Sequence, residues 1–214
     1  MIDTIVFDAE GVVLDTEGLW DVAQAQFLAD HGVRYERAEV KHLLSGRSLH
    51  EGTAILQERY ELTGELSQLV LERHTGALRL FAARAAFVDG FCDFYEQVRV
   101  RFKTCIATAL DPELLSVMDG QLDLTRLFAG NVYTVADVAR AKPEPDVFLF
   151  AAARVGSSPE TCVVVEDSPN GIEAARRAGM RCVALATTYD PTMLVDADHV
   201  AASWEEVDLE GWFS

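Results

Sequence analysis

Cysteine is scarce and scattered: Cys92, Cys105, Cys162 and Cys182 form no C-x-x-C pair. That spacing argues against a disulfide framework or a thiolate zinc site. Cys105, Cys162 and Cys182 sit inside apolar strand-like runs, and all four read as small buried residues in a reducing compartment. Four of the five histidines, His31, His42, His50 and His74, fall in the helical stretch and include no H-x-x-x-H pair, which argues against a zinc site there as well. No apolar run reaches about 18 residues, the length a membrane-spanning helix needs. The chain enters a strand-like run at once, without a signal-peptide pattern, and the expected location is the cytoplasm. Basic residues are short too: 18 Lys and Arg face 35 Asp and Glu, a net charge of -17. This balance argues against nucleic acid or an anionic membrane as partner. A small anion is still admissible, because a divalent cation and a few local ammonium groups can reverse the field inside one pocket. No pattern sets an oligomeric state, and a monomer is slightly favoured.

What the sequence does have is concentrated at its start. Thr4-Ile5-Val6-Phe7-Asp8-Ala9-Glu10-Gly11 is a short apolar run that ends in two carboxylates and a glycine. Ile2 to Phe7 is too short for a typical helix and too apolar for a solvated loop, so it reads as a buried strand. In α/β sheets ligands bind at the carboxyl ends of strands. An isolated Asp-x-Glu is most simply a solvated strand end, so its meaning depends on the partners that the rest of the chain supplies.

From about Leu19 to Phe87 the spacing is helical: Trp20–His31, Leu49–Tyr60 and Leu66–Leu80 each keep apolar residues on one face, and no strand pattern intervenes. After Asp89-Gly90 short apolar runs alternate with helices. The strand candidates are Thr104–Ala107, Asn131–Val135, Cys162–Val165, Cys182–Leu185 and, weakly, His199–Val200. This rhythm predicts an α/β fold, a Rossmann-like doubly wound parallel sheet with an inserted helical cap domain. The expected division is a catalytic core of residues 1–15 and 88–214 and a cap of residues 16–87.

Three later segments supply partners for Asp8 and Glu10. Thr108 follows a strand candidate, where its hydroxyl can donate to an anionic oxygen or simply cap a helix. Lys142 precedes Pro143-Glu144-Pro145 and the helix Asp146–Arg154; a solvated lysine is the ordinary alternative to a charge-neutralising one. Cys162–Val165 runs into Glu166-Asp167 and then Ser168-Pro169-Asn170-Gly171. Carboxylates from separate strands that share one crevice repel unless a cation or proton relieves them, and hard oxygen donors select Mg²⁺. The set allows phosphoryl transfer: Asp8 attacks phosphorus, Lys142 and Thr108 balance the remaining charge, and Glu10 moves the proton.

The segments Phe7-Asp8-Ala9-Glu10-Gly11-Val12-Val13, Ile106-Ala107-Thr108, Lys142-Pro143-Glu144-Pro145-Asp146-Val147-Phe148 and Val165-Glu166-Asp167-Ser168-Pro169-Asn170-Gly171-Ile172-Glu173-Ala174-Ala175 resemble, in order, the four motifs of the haloacid dehalogenase-like hydrolase superfamily. The likeness is to its phosphoglycolate phosphatase and β-phosphoglucomutase branch and covers nearly the whole chain. It implies Asp8 as nucleophile, Thr108 and Lys142 as the phosphoryl-binding pair, and Asp167 as a direct magnesium ligand. Glu166 would assist through water and Glu10 through its backbone carbonyl. Ser45-Gly46-Arg47-Ser48 resembles the family's cap loop, which makes Arg47 a candidate for binding the substrate's non-reacting part; a solvated loop arginine is the plain alternative.

The departure is Glu10, where family phosphatases and mutases carry Asp. One extra methylene can misplace the carboxyl by about 1 Å, enough for roughly a hundredfold in rate. The implied activity is magnesium-dependent hydrolysis of a small phosphorylated metabolite through an aspartyl phosphate. The alternatives are a sugar-phosphate mutase and a catalytically weakened member that binds phosphorylated metabolites or a protein. The stretch Leu71–Gly76 lacks the cap lysine that β-phosphoglucomutase-like proteins present there, with Arg73 and Arg79 as the only nearby substitutes. Lys41 is the one cap lysine.

Overall fold

The computed structural model describes residues 1–44 and 48–212. Its elements run β1 (Thr4–Phe7), α1 (Glu17–Asp30), α2 (Arg37–Leu44), α3 (Leu49–Tyr60), α4 (Leu66–Arg84), α5 (Phe91–Val98), β2 (Lys103–Thr108), α6 (Pro112–Leu122), α7 (Leu124–Leu127) and β3 (Val132–Thr134). They continue with α8 (Asp146–Arg154), β4 (Cys162–Glu166), α9 (Pro169–Ala178), β5 (Arg181–Leu185), β6 (His199–Ala201) and α10 (Leu209–Trp212). The six strands form one parallel sheet in the order β3-β2-β1-β4-β5-β6. From β1 the chain winds outward through β2 and β3, then returns to lay β4 against the other side of β1. The winding direction therefore reverses between β1 and β4, and in sheets of this kind ligands bind at the strands' carboxyl ends by that reversal.

Two compact units result: Met1–Thr16 with Ala85–Ser214, and Glu17–Arg84. The first contains the sheet. Val6, Cys105, Ala107, Val164 and Ala184 bury one face of it under α8 and α9, through Val147, Phe148, Ile172 and Ala175. Alternation sends Phe7 to the other face, where its ring packs edge-on to Phe91, Phe94, Tyr95 and Phe128 and tilted against Trp204. The chain leaves and re-enters this unit side by side, since Asp15 N donates to Ala86 O and Val88 N to Val13 O.

The second unit is helical, with Phe27, Leu28, Val40, Leu56, Leu62 and Leu69 as its core. Ser48 and Glu51 close a capping box that starts α3, satisfying two backbone N–H groups the first turn would otherwise leave open. Arg37 and Lys41 both pair with Glu17, tying α2 to the start of α1. Arg73 turns inward: it is buried and donates through Nη1 to Leu49 O and Thr53 Oγ1 and through Nη2 to Gln24 Oε1, at 3.2 to 3.4 Å.

Several sequence expectations need adjustment. The first strand begins at Thr4 rather than Ile2, although Ile2 is buried. Helix α2 lies inside the stretch expected to be helical but was not delimited by its apolar spacing, and α4 continues to Arg84. Cys92 is exposed on α5, while the other three cysteines are buried as expected. Among the described residues no helix is long and apolar enough to cross a membrane.

The aromatic cluster predicts one stability result. Phe91 is fully buried and packs against Phe7, Phe87, Tyr95, Phe128 and Trp204. Phe91→Ala should cost about 3–5 kcal/mol in urea unfolding; a loss below about 1 kcal/mol would contradict this account of the core.

Candidate active site

Register places the acidic groups. Phe7 pairs with Val165 across β1 and β4, so Asp8 and Glu166 emerge side by side at the reversal point. Asp8 N donates to Val165 O at 2.9 Å, which fixes the residue against β4 as the strand ends. Asp8, Glu166 and Asp167 are all buried, and each brings a carboxylate oxygen within 4.8 Å of the other two.

Lys142 joins them. Its Nζ donates to Asp8 Oδ1 at 2.5 Å and to Glu166 Oε1 at 2.8 Å, and lies 4.6 Å from the centroid of the Phe148 ring. The loop that presents it is braced from outside, where Arg177 pairs with Glu144 and Arg140 with Asp146. Burial alone would lower the Lys142 pKa, but the Asp8 and Glu166 carboxylates outweigh it and hold the ammonium above its usual range. Burial pushes the Asp8 carboxyl up to about 7 even against that ammonium, with Glu166 and Glu10 adding repulsion. Asp167 is driven upward in the same way, by burial first and then by Glu166 and Asp8.

Glu166 is the best-anchored of the three. While Oε1 takes Lys142, Oε2 accepts Asp167 N, Ser168 N and Ser168 Oγ at 2.8 to 2.9 Å. Ser168 also N-caps α9 by accepting from Gly171 N, and Pro169 occupies the first turn, where its missing N–H costs nothing. The loop from Glu166 to Gly171 is thus one hydrogen-bonded piece whose shape sets the direction of Asp167.

Thr108 ends β2 on the other side of β1. It is buried, and its Oγ1 accepts from Leu110 N at 3.1 Å, an arrangement that leaves the hydroxyl proton for a second partner. Glu10 stands two residues beyond Asp8, partly exposed, in a single-residue bridge with Leu14. Its side chain is not in the three-carboxylate group. Arg47 lies outside the described residues. The sequence reading missed Thr187 and Thr188, which follow β5 and touch the Gly11 turn and Asp167; their place at a strand's carboxyl end was the available signal.

Three buried carboxylates beside one ammonium leave an excess of negative charge that a protein interior does not tolerate unrelieved. All the donors are hard oxygens, so the set suits Mg²⁺ rather than a thiophilic metal.

Fold and site together define a class: doubly wound α/β proteins with an acidic, lysine-braced cluster where the sheet reverses direction. The chain belongs to the haloacid dehalogenase-like hydrolases, whose family model matches residues 2–179, and it is an enzyme of that family's phosphatase kind. It is 32% identical over 184 residues to a "Probable pseudouridine-5'-phosphatase" of Drosophila melanogaster, covering 83% of this chain and 79% of that one. It is 29% identical to a "Phosphorylated carbohydrates phosphatase" of Thermotoga maritima, covering 94% of this chain and 93% of the relative. A solved haloacid dehalogenase-like protein from Agrobacterium tumefaciens superposes with a TM-score of 0.81 at 26% identity, covering 96% of each chain.

The seat of Glu166 generates a prediction whose sign is unusual. Gly→Ala inside a helix ordinarily stabilises by about 0.5–1 kcal/mol. At Gly171 the added methyl would overlap the Glu166 carboxylate, which cannot swing away without breaking its bonds to Lys142, Asp167 and Ser168. Gly171→Ala should therefore lower the melting temperature and impair turnover together; a more stable variant with normal turnover would contradict the placement of Glu166.

Proposed function

We propose that the chain hydrolyses a small phosphorylated metabolite, of the phosphorylated-sugar or nucleotide-like kind, through an aspartyl phosphate on Asp8. The observation that carries this reading is the Lys142 bridge from Asp8 to Glu166 beside Asp167. It draws support from the relatives, which bear phosphatase names for a pseudouridine phosphate and for phosphorylated carbohydrates.

An Asp8 carboxylate oxygen attacks phosphorus as the bond from phosphorus to the ester oxygen breaks, and Glu10 gives its proton to that leaving oxygen. Glu10 then takes a proton from water, the water oxygen bonds to phosphorus, and the bond to Asp8 breaks to release phosphate. Lys142 and Thr108 hold the transferred group's oxygens throughout, matching the charge that spreads over them. Mg²⁺, when bound by Asp8, Asp167 and the Glu10 backbone carbonyl with Glu166 assisting through water, supplies the charge neutralisation that lets carboxylate and phosphate approach.

The helical unit is the candidate for substrate selection, and Arg47, which lies outside the described residues, stays the sequence-based candidate for binding the substrate's non-reacting part. Arg73 does not take the place of the missing cap lysine in this reading, because it is buried within the helical unit with both Nη atoms bonded to Leu49, Thr53 and Gln24. With no lysine in the stretch Leu71–Gly76 to grip a second phosphate, water rather than a sugar hydroxyl accepts the phosphoryl group in this reading.

A phosphate-release screen over phosphorylated sugars and nucleotides tests the reading. Turnover should require Mg²⁺, vanish reversibly in EDTA, and fall at least a thousandfold, on the order of the whole nucleophilic contribution, in Asp8→Asn. Normal release by Asp8→Asn would defeat it. A second comparison addresses Glu10. Glu10→Gln should lose turnover while Glu10→Asp keeps or raises it; equal rates in all three would remove Glu10 from proton transfer.

A further inference from the structure

The turn after Asp8 is held from a third strand end. Gly11 adopts a left-handed φ of 70°, and a methyl there would overlap the Asp167 carboxylate and come within 2.6 Å of Thr188 Oγ1. The space a side chain would take is filled instead by the Asp167 carboxylate and the Thr188 hydroxyl. The Thr188 hydroxyl and the Asp167 carboxylate crowd the same point beside Gly11, and the hydroxyl's influence opposes the upward push that burial gives the Asp167 carboxyl. Its neighbour Thr187 donates Oγ1 to Gly11 O at 2.6 Å, and Trp204 Nε1 donates to Val12 O at 3.0 Å. Asp167 thus has its backbone fixed by Glu166 and its side chain fixed between the Gly11 turn and Thr188.

We propose that Thr188 is a positioning residue for the cation, holding one face of the Asp167 carboxylate so that its other face is turned to the metal. This rests on the reading that Asp8 and Asp167 hold a divalent ion. A carboxylate on a short side chain can rotate about its last bond, and an ion binds more weakly when it must arrest that rotation itself. A hydroxyl that holds the group in advance removes that cost, which is how outer partners of metal ligands commonly raise affinity by about 10- to 100-fold. Thr187 acts on the same unit from the other side, fixing the Gly11 carbonyl so that the turn after Asp8 and the loop after β4 keep their spacing.

The test uses three full-length proteins: wild type, Thr188→Val and Thr188→Ser. Valine keeps the shape and removes the hydroxyl; serine keeps the hydroxyl. Cation affinity is read on substrate-free protein by calorimetric titration with Mg²⁺ and by the electron paramagnetic resonance signal of Mn²⁺. Thr188→Val should weaken binding about tenfold and Thr188→Ser should restore it to within about threefold, with thermal unfolding in EDTA alike in all three. In turnover, the Mg²⁺ concentration for half-maximal rate should rise in Thr188→Val while the rate at saturating Mg²⁺ stays near wild type. Unchanged affinity in Thr188→Val, or a serine variant as weak as valine, overturns the inference. A lowered melting temperature with unchanged affinity does so too, by leaving Thr188 a structural role only. If wild type itself binds neither ion, the reading of the site fails and the inference with it; intact wild-type binding separates the two failures.

Discussion

Burying Asp8, Glu166 and Asp167 within a few ångströms of one another, with Lys142 bonded to two of them, is the constraint around which the core is arranged. Such a cluster is destabilising in a protein interior, and each neighbouring feature offsets part of that penalty. Lys142 takes one oxygen from each of two carboxylates. Three donors of the adjoining loop converge on the second oxygen of Glu166. Two glycines, Gly11 and Gly171, stand where any side chain would displace a carboxylate. The charge that remains is the property a hard cation and an incoming phosphate would use. A site that stabilised itself fully would have nothing left to offer them.

The sheet order makes this cluster possible. Because β1 lies between β2 and β4, one strand end can face partners from both halves of the winding, and Asp8 takes that position. The helical unit is inserted after the turn that follows this strand, and the chain returns beside its point of departure, where Asp15 and Ala86 are joined by a backbone hydrogen bond. An insertion of this kind leaves the sheet's register untouched. Its own core, built on Phe27, Leu56 and Leu69, lets it vary in sequence without disturbing the strands that carry Asp8 and Glu166.

The parts of this arrangement that follow period-two or helical apolar spacing were legible in the sequence. Strands β2, β4 and β5 fall within a residue of the expected limits, and α3 and α8 match at both ends. Helices α2, α5 and α6 were not delimited in advance. α6 had a readable start, since Asp111 precedes Pro112-Glu113 and its side chain accepts from Glu113 N and Leu114 N. α5 is a short helix led by Gly90, which offers no side-chain cap to announce it. At the site, the acidic residues and Lys142 stood out because charged residues after apolar runs are conspicuous. Thr187 and Thr188 did not, because two threonines after a strand resemble any turn until the register brings them against Gly11 and Asp167. The fate of Arg73 was equally hidden: periodicity gives a helical face but not which neighbour that face meets.

The central claim is that Asp8 carries the phosphoryl group during turnover, and mass spectrometry of the working enzyme tests it most directly. Acid quenching during turnover of a phosphorylated sugar with Mg²⁺, and then peptide mapping, should find a phosphoryl adduct on the peptide that contains Asp8. That adduct should be absent from Asp8→Asn and from enzyme quenched after the substrate is exhausted. An adduct on a different residue, or steady phosphate release from Asp8→Asn, would contradict the account.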